Sequence, residues 1–112
     1  IELYDRHLRQ EDIEGFNYLH SEEYGITQNK LHLLEEQIVR ATGSKEYMGL
    51  YRWWVNLQDE REVSMLNQVK NHLSNASYEK AVLIIGSEHR NSVLEKVKTD
   101  AYRDLQWTIY TN

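Results

Sequence analysis

The sequence feature that most constrains the fold is a continuous apolar run, Ala81–Ile85, rich in branched side chains and ending at Gly86. Such a run is typical of a strand that is buried on both faces of a parallel sheet. Residues 91–104 then show helical spacing of their apolar positions, and residues 106–110 alternate as a second strand would. A strand over 81–86, a helix and a second strand together predict a βαβ unit.

The first two-thirds of the chain has the apolar spacing of helices and contains no proline to interrupt them. Gly25 is interpreted as a break, Thr27 as an N-cap and Gly43 as the residue that follows a helix end. The spacing predicts three helices, at about 1–20, 28–42 and 45–73.

Two parallel strands do not make a stable sheet, and strands buried on both faces need neighbours. We therefore predict an α/β fold in which a helix-rich N-terminal two-thirds precedes the βαβ unit. The sheet would be completed by an upstream part of the parent chain or by another chain. Residues 1–112 are then one domain, or the C-terminal segment of a larger α/β domain. The alternative is a small α+β domain with two strands under the helices.

Composition excludes several classes of protein. The chain has no cysteine, so disulfide frameworks and thiolate metal sites are ruled out. Its 13 basic and 18 acidic residues give a net charge of −5, which argues against nucleic-acid binding. No apolar run approaches the ~20 residues of a membrane span, and no signal-peptide pattern opens the sequence. The compartment stays open between the cytoplasm and export after removal of an upstream segment.

The candidate site follows the first predicted strand, because ligands of open α/β sheets bind beyond the carboxyl ends of strands. Gly86 and Ser87 would let the chain turn and a ligand approach the backbone, so both are candidate cofactor-binding residues. Glu88 and His89 offer a carboxylate and an imidazole as candidate metal ligands, and His89 is also a candidate base. The alternative is a hydrogen-bonded structural histidine at a simple turn.

A second candidate cluster lies on the helix predicted at 45–73. Glu62 falls on the apolar stripe of that helix, where a carboxylate should be paired or functional. Arg61, near the edge of the stripe, has the geometry to clamp a carboxylate or phosphate. Both therefore join His89 as candidate catalytic residues, and the alternative is an ion pair or an exposed helix surface.

Three further features are weaker. His32 has Glu35 and Glu36 at the spacing of a helical metal site, although a solvated face is the better interpretation. The aromatic stretch 47–57 is interpreted as core or subunit interface. Residues 1–36 hold nine acidic and three basic residues, which indicates a solvated acidic face or a patch for a basic partner.

The two clusters together resemble a known family. An Arg61-x-x-x-Met65 helix, followed by an apolar strand that ends in Gly86-x-x-His89, resembles the C-terminal part of the erythromycin esterase/ChaN/TraB/Tiki superfamily. The similar stretch covers residues 52–110. Members include bacterial esterase-like proteins, a haem-iron-binding lipoprotein and a metal-dependent protease. The resemblance implies an α/β domain whose site lies at the strand ends, with Arg61 and His89 at the motif positions.

Members of this superfamily carry another Gly-x-x-His-type motif in an N-terminal half, and residues 1–50 contain no match to it. The leading hypothesis is therefore half of a hydrolase-like or metal-binding site for a divalent metal ion, inactive without a missing N-terminal half. One alternative is a non-catalytic interaction module that uses the aromatic helix 47–57 and the acidic N-terminal third. Another is iron or haem binding without turnover. The expected partners are a homo-oligomer or the missing half.

Overall fold

The computed structural model describes residues 1–109, and all regular secondary structure in this part of the chain is helical. Two single 3₁₀ turns, at Ser87–His89 and Asp100–Tyr102, flank the last helix. The chain forms two compact units, unit 1 from Ile1–Trp53 and unit 2 from Trp54–Ile109. The helices are α1 (Glu2–Glu14), α2 (Phe16–Leu19), α3 (Glu22–Ala41), α4 (Lys45–Ser74) and α5 (Arg90–Val97).

The predicted α/β fold with a βαβ unit is wrong, because none of residues 1–109 lies in a β-strand. Residues 81–86 have irregular backbone, and the side chains of Val82 and Ile84 are 86% and 90% exposed. Residues 106–109 are irregular as well, and Tyr110, the end of the predicted second strand, lies outside the described residues.

The physical reason for this error is the absence of a pairing partner. A strand needs a neighbour that binds its backbone N–H and C=O groups. No other segment of residues 1–109 forms backbone hydrogen bonds with Ala81–Ile85. An apolar run shows that side chains favour burial, but it does not supply the second strand.

A capping side chain and a glycine dihedral set the helix boundaries in unit 1, and the spacing of apolar residues indicates neither of them. Ser21, not Thr27, caps α3, because its Oγ accepts a hydrogen bond from the N–H of Tyr24 at 3.1 Å. Gly25 therefore lies inside a helix and is buried, and the interruption is at Gly15 instead, where φ is +52°. Only glycine adopts such a conformation readily.

The centre of unit 1 is a cluster of three aromatic rings. His7, Tyr18 and Tyr24 are at most 4% exposed, and their ring centroids lie 5.0 to 5.5 Å apart. His7 Nδ1 is hydrogen-bonded to the hydroxyl of Tyr18 at 2.8 Å, and its Nε2 lies 3.2 Å from Glu11 Oε1. This polar cluster holds α1 against the two helices that follow it.

The centre of unit 2 is apolar and positions α5 against the C-terminal part of α4. Leu66, Val93 and Tyr102 are buried, and Ile85, Val97 and Trp107 pack around them. The Tyr102 hydroxyl donates a hydrogen bond to Oδ1 of Asn67 at 2.9 Å, which ties the turn after α5 to α4. This packing brings the residues from His89 onward close to the α4 turn that contains Glu62.

Candidate functional site

Glu62 is the centre of the candidate site. It projects from α4 and is only 4% exposed, so its charge needs partners. His89 Nδ1 lies 2.8 Å from its Oε1 atom. Ser92 Oγ and Lys96 Nζ both donate to its Oε2 atom, at 2.5 and 2.8 Å. Both oxygens of this buried carboxylate are therefore hydrogen-bonded.

Helical periodicity explains why three side chains meet one carboxylate. His89, Ser92 and Lys96 stand at positions i, i+3 and i+7, which share one face of a helix. The 3₁₀ turn Ser87–His89 runs directly into α5, so His89 continues this face. On α4, Asp59 stands one turn before Glu62 and reaches Lys96 Nζ at 2.6 Å.

The network keeps its charged groups ionised. Burial alone would raise the pKa of Glu62, but hydrogen bonds from Lys96, Ser92 and His89 outweigh it, so the pKa lies below its ordinary value. Burial alone would lower the pKa of Lys96, but Asp59 and Glu62 raise it above its ordinary value. At neutral pH the site therefore contains a carboxylate and an ammonium group in direct contact.

His89 is the member of the network that can still bind a ligand. Because ionised Glu62 can only accept hydrogen bonds, the Nδ1 atom of His89 must carry the proton between them. In the neutral ring, Nε2 then presents a lone pair, and no other described residue is hydrogen-bonded to it. The side chain is 18% exposed, so this nitrogen can meet a ligand from outside.

Neither of the other two charged candidates, Arg61 and Glu88, is part of this hydrogen-bonded network. Arg61 is exposed, and its Nη1 atom donates to Gln58 Oε1, on its own helix, at 3.2 Å. Glu88 is also exposed, on the 3₁₀ turn beside His89. The structure thus brings Glu62 and His89 into contact, but Arg61 bonds to its own helix instead.

Gly86 and Ser87 shape the approach to His89. The carbonyl oxygen of Gly86 accepts the His89 N–H at 3.0 Å, and Ser87 opens the 3₁₀ turn in a half-buried position. Gly86 has φ −61°, and a Cβ atom there would meet only His89 Cδ2, at 3.8 Å. Neither backbone conformation nor space therefore requires glycine here, unlike the sharp turn that the sequence suggested.

Sequence reasoning missed three members of the network: Asp59, Ser92 and Lys96. A signal for them was present, because Ser92 and Lys96 repeat the helical face of His89. Asp59 likewise precedes Glu62 by one helical turn. Neither spacing identifies its partner, since only the packing of α5 on α4 brings the two faces together.

A complete metal centre is not present within residues 1–109, where no three His, Cys, Asp or Glu side chains are grouped to hold an ion. The triplet predicted around His32 is divided. His32 Nδ1 lies 3.2 Å from Glu35, whereas Glu36 pairs with Arg40 at 2.7 Å. Any metal held by His89 would need further ligands from outside this part of the chain.

Comparisons of the chain with protein-family models, with curated proteins and with solved structures found no match. Within the described residues, no helix combines the length and the apolar character needed to cross a bilayer.

Proposed function

We propose that His89 is a metal ligand, binding through Nε2, in one half of a hydrolase-like site for a divalent metal ion. The observation that carries this proposal is the 2.8 Å contact between His89 Nδ1 and Glu62 Oε1, with Nε2 left open. Histidines that bind metals commonly donate their other ring N–H to a carboxylate, which fixes the ring and raises its basicity.

Glu62 acts in this proposal as a positioning residue rather than as an acid, a base or a ligand. Its two oxygens are already engaged by His89, Ser92 and Lys96. Its lowered pKa keeps it ionised, so it neither supplies a proton nor takes one up near neutral pH. Its function is to hold His89 in one tautomer and one orientation.

Apart from Glu88, the other ligands would come from groups outside residues 1–109, which is what the half-site hypothesis requires. Glu88 is an exposed carboxylate beside His89 and is the candidate for a second ligand from this chain. A bound divalent ion would supply Lewis acidity and a water molecule of lowered pKa. The chain's own contribution is the oriented nitrogen of His89.

The test is the broadening of histidine NMR signals by Mn²⁺. A single imidazole binds a metal ion weakly, so paramagnetic broadening is a more sensitive readout than heat. We expect the ring signals of His89 to broaden first. The signals of His7 should persist, because both of its ring nitrogens are occupied. Zn²⁺ and Co²⁺ should compete with Mn²⁺ for the same nitrogen.

Variants separate this proposal from a purely structural network. His89→Ala should abolish the saturable binding, and Glu62→Gln should weaken it by about 10- to 100-fold. The matched control is His32→Ala, which removes an exposed histidine that also contacts a carboxylate. Binding that survives in His89→Ala, or that His32→Ala removes, would contradict the proposal. Saturable haem binding lost in His89→Ala would instead favour carriage without turnover.

A further inference from the structure

The two oxygens of Glu62 have different partners. Oε1 meets His89 Nδ1 at 2.8 Å, whereas Oε2 accepts hydrogen bonds from Ser92 Oγ at 2.5 Å and from Lys96 Nζ at 2.8 Å. Rotation about the last torsion of a glutamate is broad and roughly two-fold, so the side chain alone does not determine which oxygen faces His89. The two donors on Oε2 therefore hold the carboxylate in one orientation.

Lys96 is itself held by as many acceptors as it has protons to donate. Its ammonium group has three N–H donors on a flexible stem. Three oxygens contact its Nζ atom: Glu62 Oε2 at 2.8 Å, Ser92 Oγ at 2.7 Å and Asp59 Oδ1 at 2.6 Å. The side chain is only 17% exposed, so its charge is fixed between α4 and α5.

The direction of each hydrogen bond in the network follows from these contacts. Because an ammonium group only donates, Ser92 Oγ accepts from Lys96 and donates its own proton to Glu62. Glu62 accepts both protons on Oε2, which leaves Oε1 for the N–H group of His89. The network therefore has a single arrangement of protons, and this arrangement ends at the His89 ring.

We propose that Lys96 and Ser92 are positioning residues that fix the orientation of the His89 ring through Glu62. The effect on metal affinity rests on the proposed function of His89, whereas the order of the ring is a property of the chain without metal. Both residues lie on α5, and their acceptor lies on α4. The contact that packs α5 against α4 is therefore also the contact that orients His89.

A role of Lys96 through charge alone predicts the opposite effect on metal affinity. Asp59 and Glu62 each contribute −1 and Lys96 contributes +1, so the three contacting groups have a net charge of −1. Removal of the Lys96 charge makes this −2, which would attract a divalent cation more strongly. If Lys96 instead orients His89, its removal weakens the binding, so the sign of the change separates the two roles.

Carbon-13 relaxation of the His89 ring in the metal-free chain tests the positioning role, with Lys96→Met as the variant. Methionine keeps an unbranched apolar stem and removes the three donors. We expect the order parameter of the ring C–H bonds to fall from about 0.85, the value of rigid backbone, to below about 0.6. Val97→Ala is the control for stability, because Val97 packs against the core of unit 2 and lies outside the network. It should leave the ring ordered.

Ser92→Ala is the second variant, for the case that Lys96→Met does not fold. It removes one of the two donors to Oε2 and keeps the contact between Lys96 and Glu62, so the fall in ring order should be smaller. A ring that stays fully ordered in these variants, or one that is equally mobile in Val97→Ala, would overturn the proposal.

Broadening of the His89 signals by Mn²⁺ gives the second measurement. Lys96→Met should weaken Mn²⁺ binding by about 10-fold, the lower end of the effect of groups that hold a metal-binding histidine. The charge-matched control is Lys98→Met, since Lys98 is 68% exposed and pairs with Glu95 instead of Glu62. It should not weaken the binding.

Tighter Mn²⁺ binding in Lys96→Met would overturn the proposal in favour of a role through charge. Weaker binding in Lys98→Met to the same extent would overturn it as well. A wild-type chain that binds no Mn²⁺ would overturn the proposed function of His89 instead, and the order of the ring would still decide whether Lys96 and Ser92 position it.

Discussion

Each unit of the molecule contains a largely buried histidine bound to neighbouring side chains, and the two differ in exposure and in how many ring nitrogens are engaged. His7 in unit 1 is 4% exposed, and both of its ring nitrogens are engaged, one by Tyr18 and one by Glu11. His89 in unit 2 is 18% exposed, and only its Nδ1 atom is engaged, by Glu62. The first network is closed, whereas the second leaves one nitrogen open.

The comparison shows that pairing alone does not distinguish a structural histidine from a functional one. Both rings satisfy the requirement that buried polar groups form hydrogen bonds. What differs is the remaining capacity of the ring to bind a ligand, and this depends on the second nitrogen. A carboxylate bound to the first nitrogen also fixes the tautomer of the ring, so the second nitrogen keeps the lone pair that binds a ligand.

The largest expected effect is that of Glu62→Ala in the open network. The substitution leaves Lys96 largely buried with only the exposed Asp59 as a charged partner, and it leaves Ser92 and His89 without their acceptor. We expect a loss of about 2–4 kcal/mol in the free energy of unfolding of unit 2. Hydrogen exchange of the α5 amides measures this loss within the unit itself.

Glu60→Ala is the matched control for this prediction, since Glu60 is an exposed carboxylate on the same turn of α4. It should change the stability by less than about 0.5 kcal/mol. Equal protection of α5 in both variants would mean that the Glu62 network contributes little to the packing of unit 2.

A smaller loss is expected from Tyr18→Phe in the closed network. The hydroxyl of Tyr18 is the partner of His7 Nδ1, and its removal leaves a buried nitrogen unpaired. We expect a loss of about 1–2 kcal/mol, measured by urea unfolding. Tyr4→Phe, at a position that is 53% exposed, is the control and should be nearly neutral. If Tyr18→Phe and Tyr4→Phe changed the free energy of unfolding equally, the hydrogen bond from Tyr18 to His7 would contribute nothing to stability.

The pH dependence of stability should identify the open network. The lowered pKa of Glu62 means that its contribution is complete above its ordinary pKa of 4.5 and is lost as the pH falls through the folded value. The raised pKa of Lys96 means that its contribution is lost only as the pH rises above 10.5. The stability difference between wild type and Glu62→Gln should therefore shrink in acid. A difference that stays constant as acid is added would contradict this sign.

The smallest effect is expected at Gly86, next to the open network. Its φ of −61° suits any residue, and a Cβ atom would meet only an ordinary contact, so Gly86→Ala should change stability by less than about 0.5 kcal/mol. Gly43→Ala is the comparison, because φ there is +66° and alanine should cost about 1 kcal/mol or more. Thermal unfolding of the two variants checks the order, and a larger loss at Gly86 would reverse it.

The sequence predicted those parts of the fold that depend on local chemistry. Helix α4 was expected at 45–73 and spans Lys45–Ser74, because an unbroken helical spacing follows a glycine at Gly43. The position of Glu62 on an apolar stripe predicts that its carboxylate has a partner or a function. His89 is a sequence candidate because it follows the predicted strand 81–86. That strand is absent from the described residues, and the structure nevertheless places His89 against Glu62.

The sequence did not predict those parts that depend on a distant partner. The run Ala81–Ile85 has strand character, but its pairing depends on a second strand, and the described residues supply none. Ser92 and Lys96 are ordinary helix-surface residue types, and they become part of the site only because Val93 packs against Leu66. The break at Gly15 depends on a single backbone dihedral, which apolar spacing does not report.

The most direct test of the open network is the tautomer of His89, observed by ¹⁵N-edited NMR of the imidazole nitrogens at a pH where the ring is neutral. The geometry predicts a protonated Nδ1 and an unprotonated Nε2, because ionised Glu62 accepts from Nδ1. A shift of the tautomer towards averaging in Glu62→Gln would strengthen the assignment. A ring protonated at Nε2, or one that averages both tautomers in the wild type, would contradict the claim that Glu62 orients His89 for a ligand.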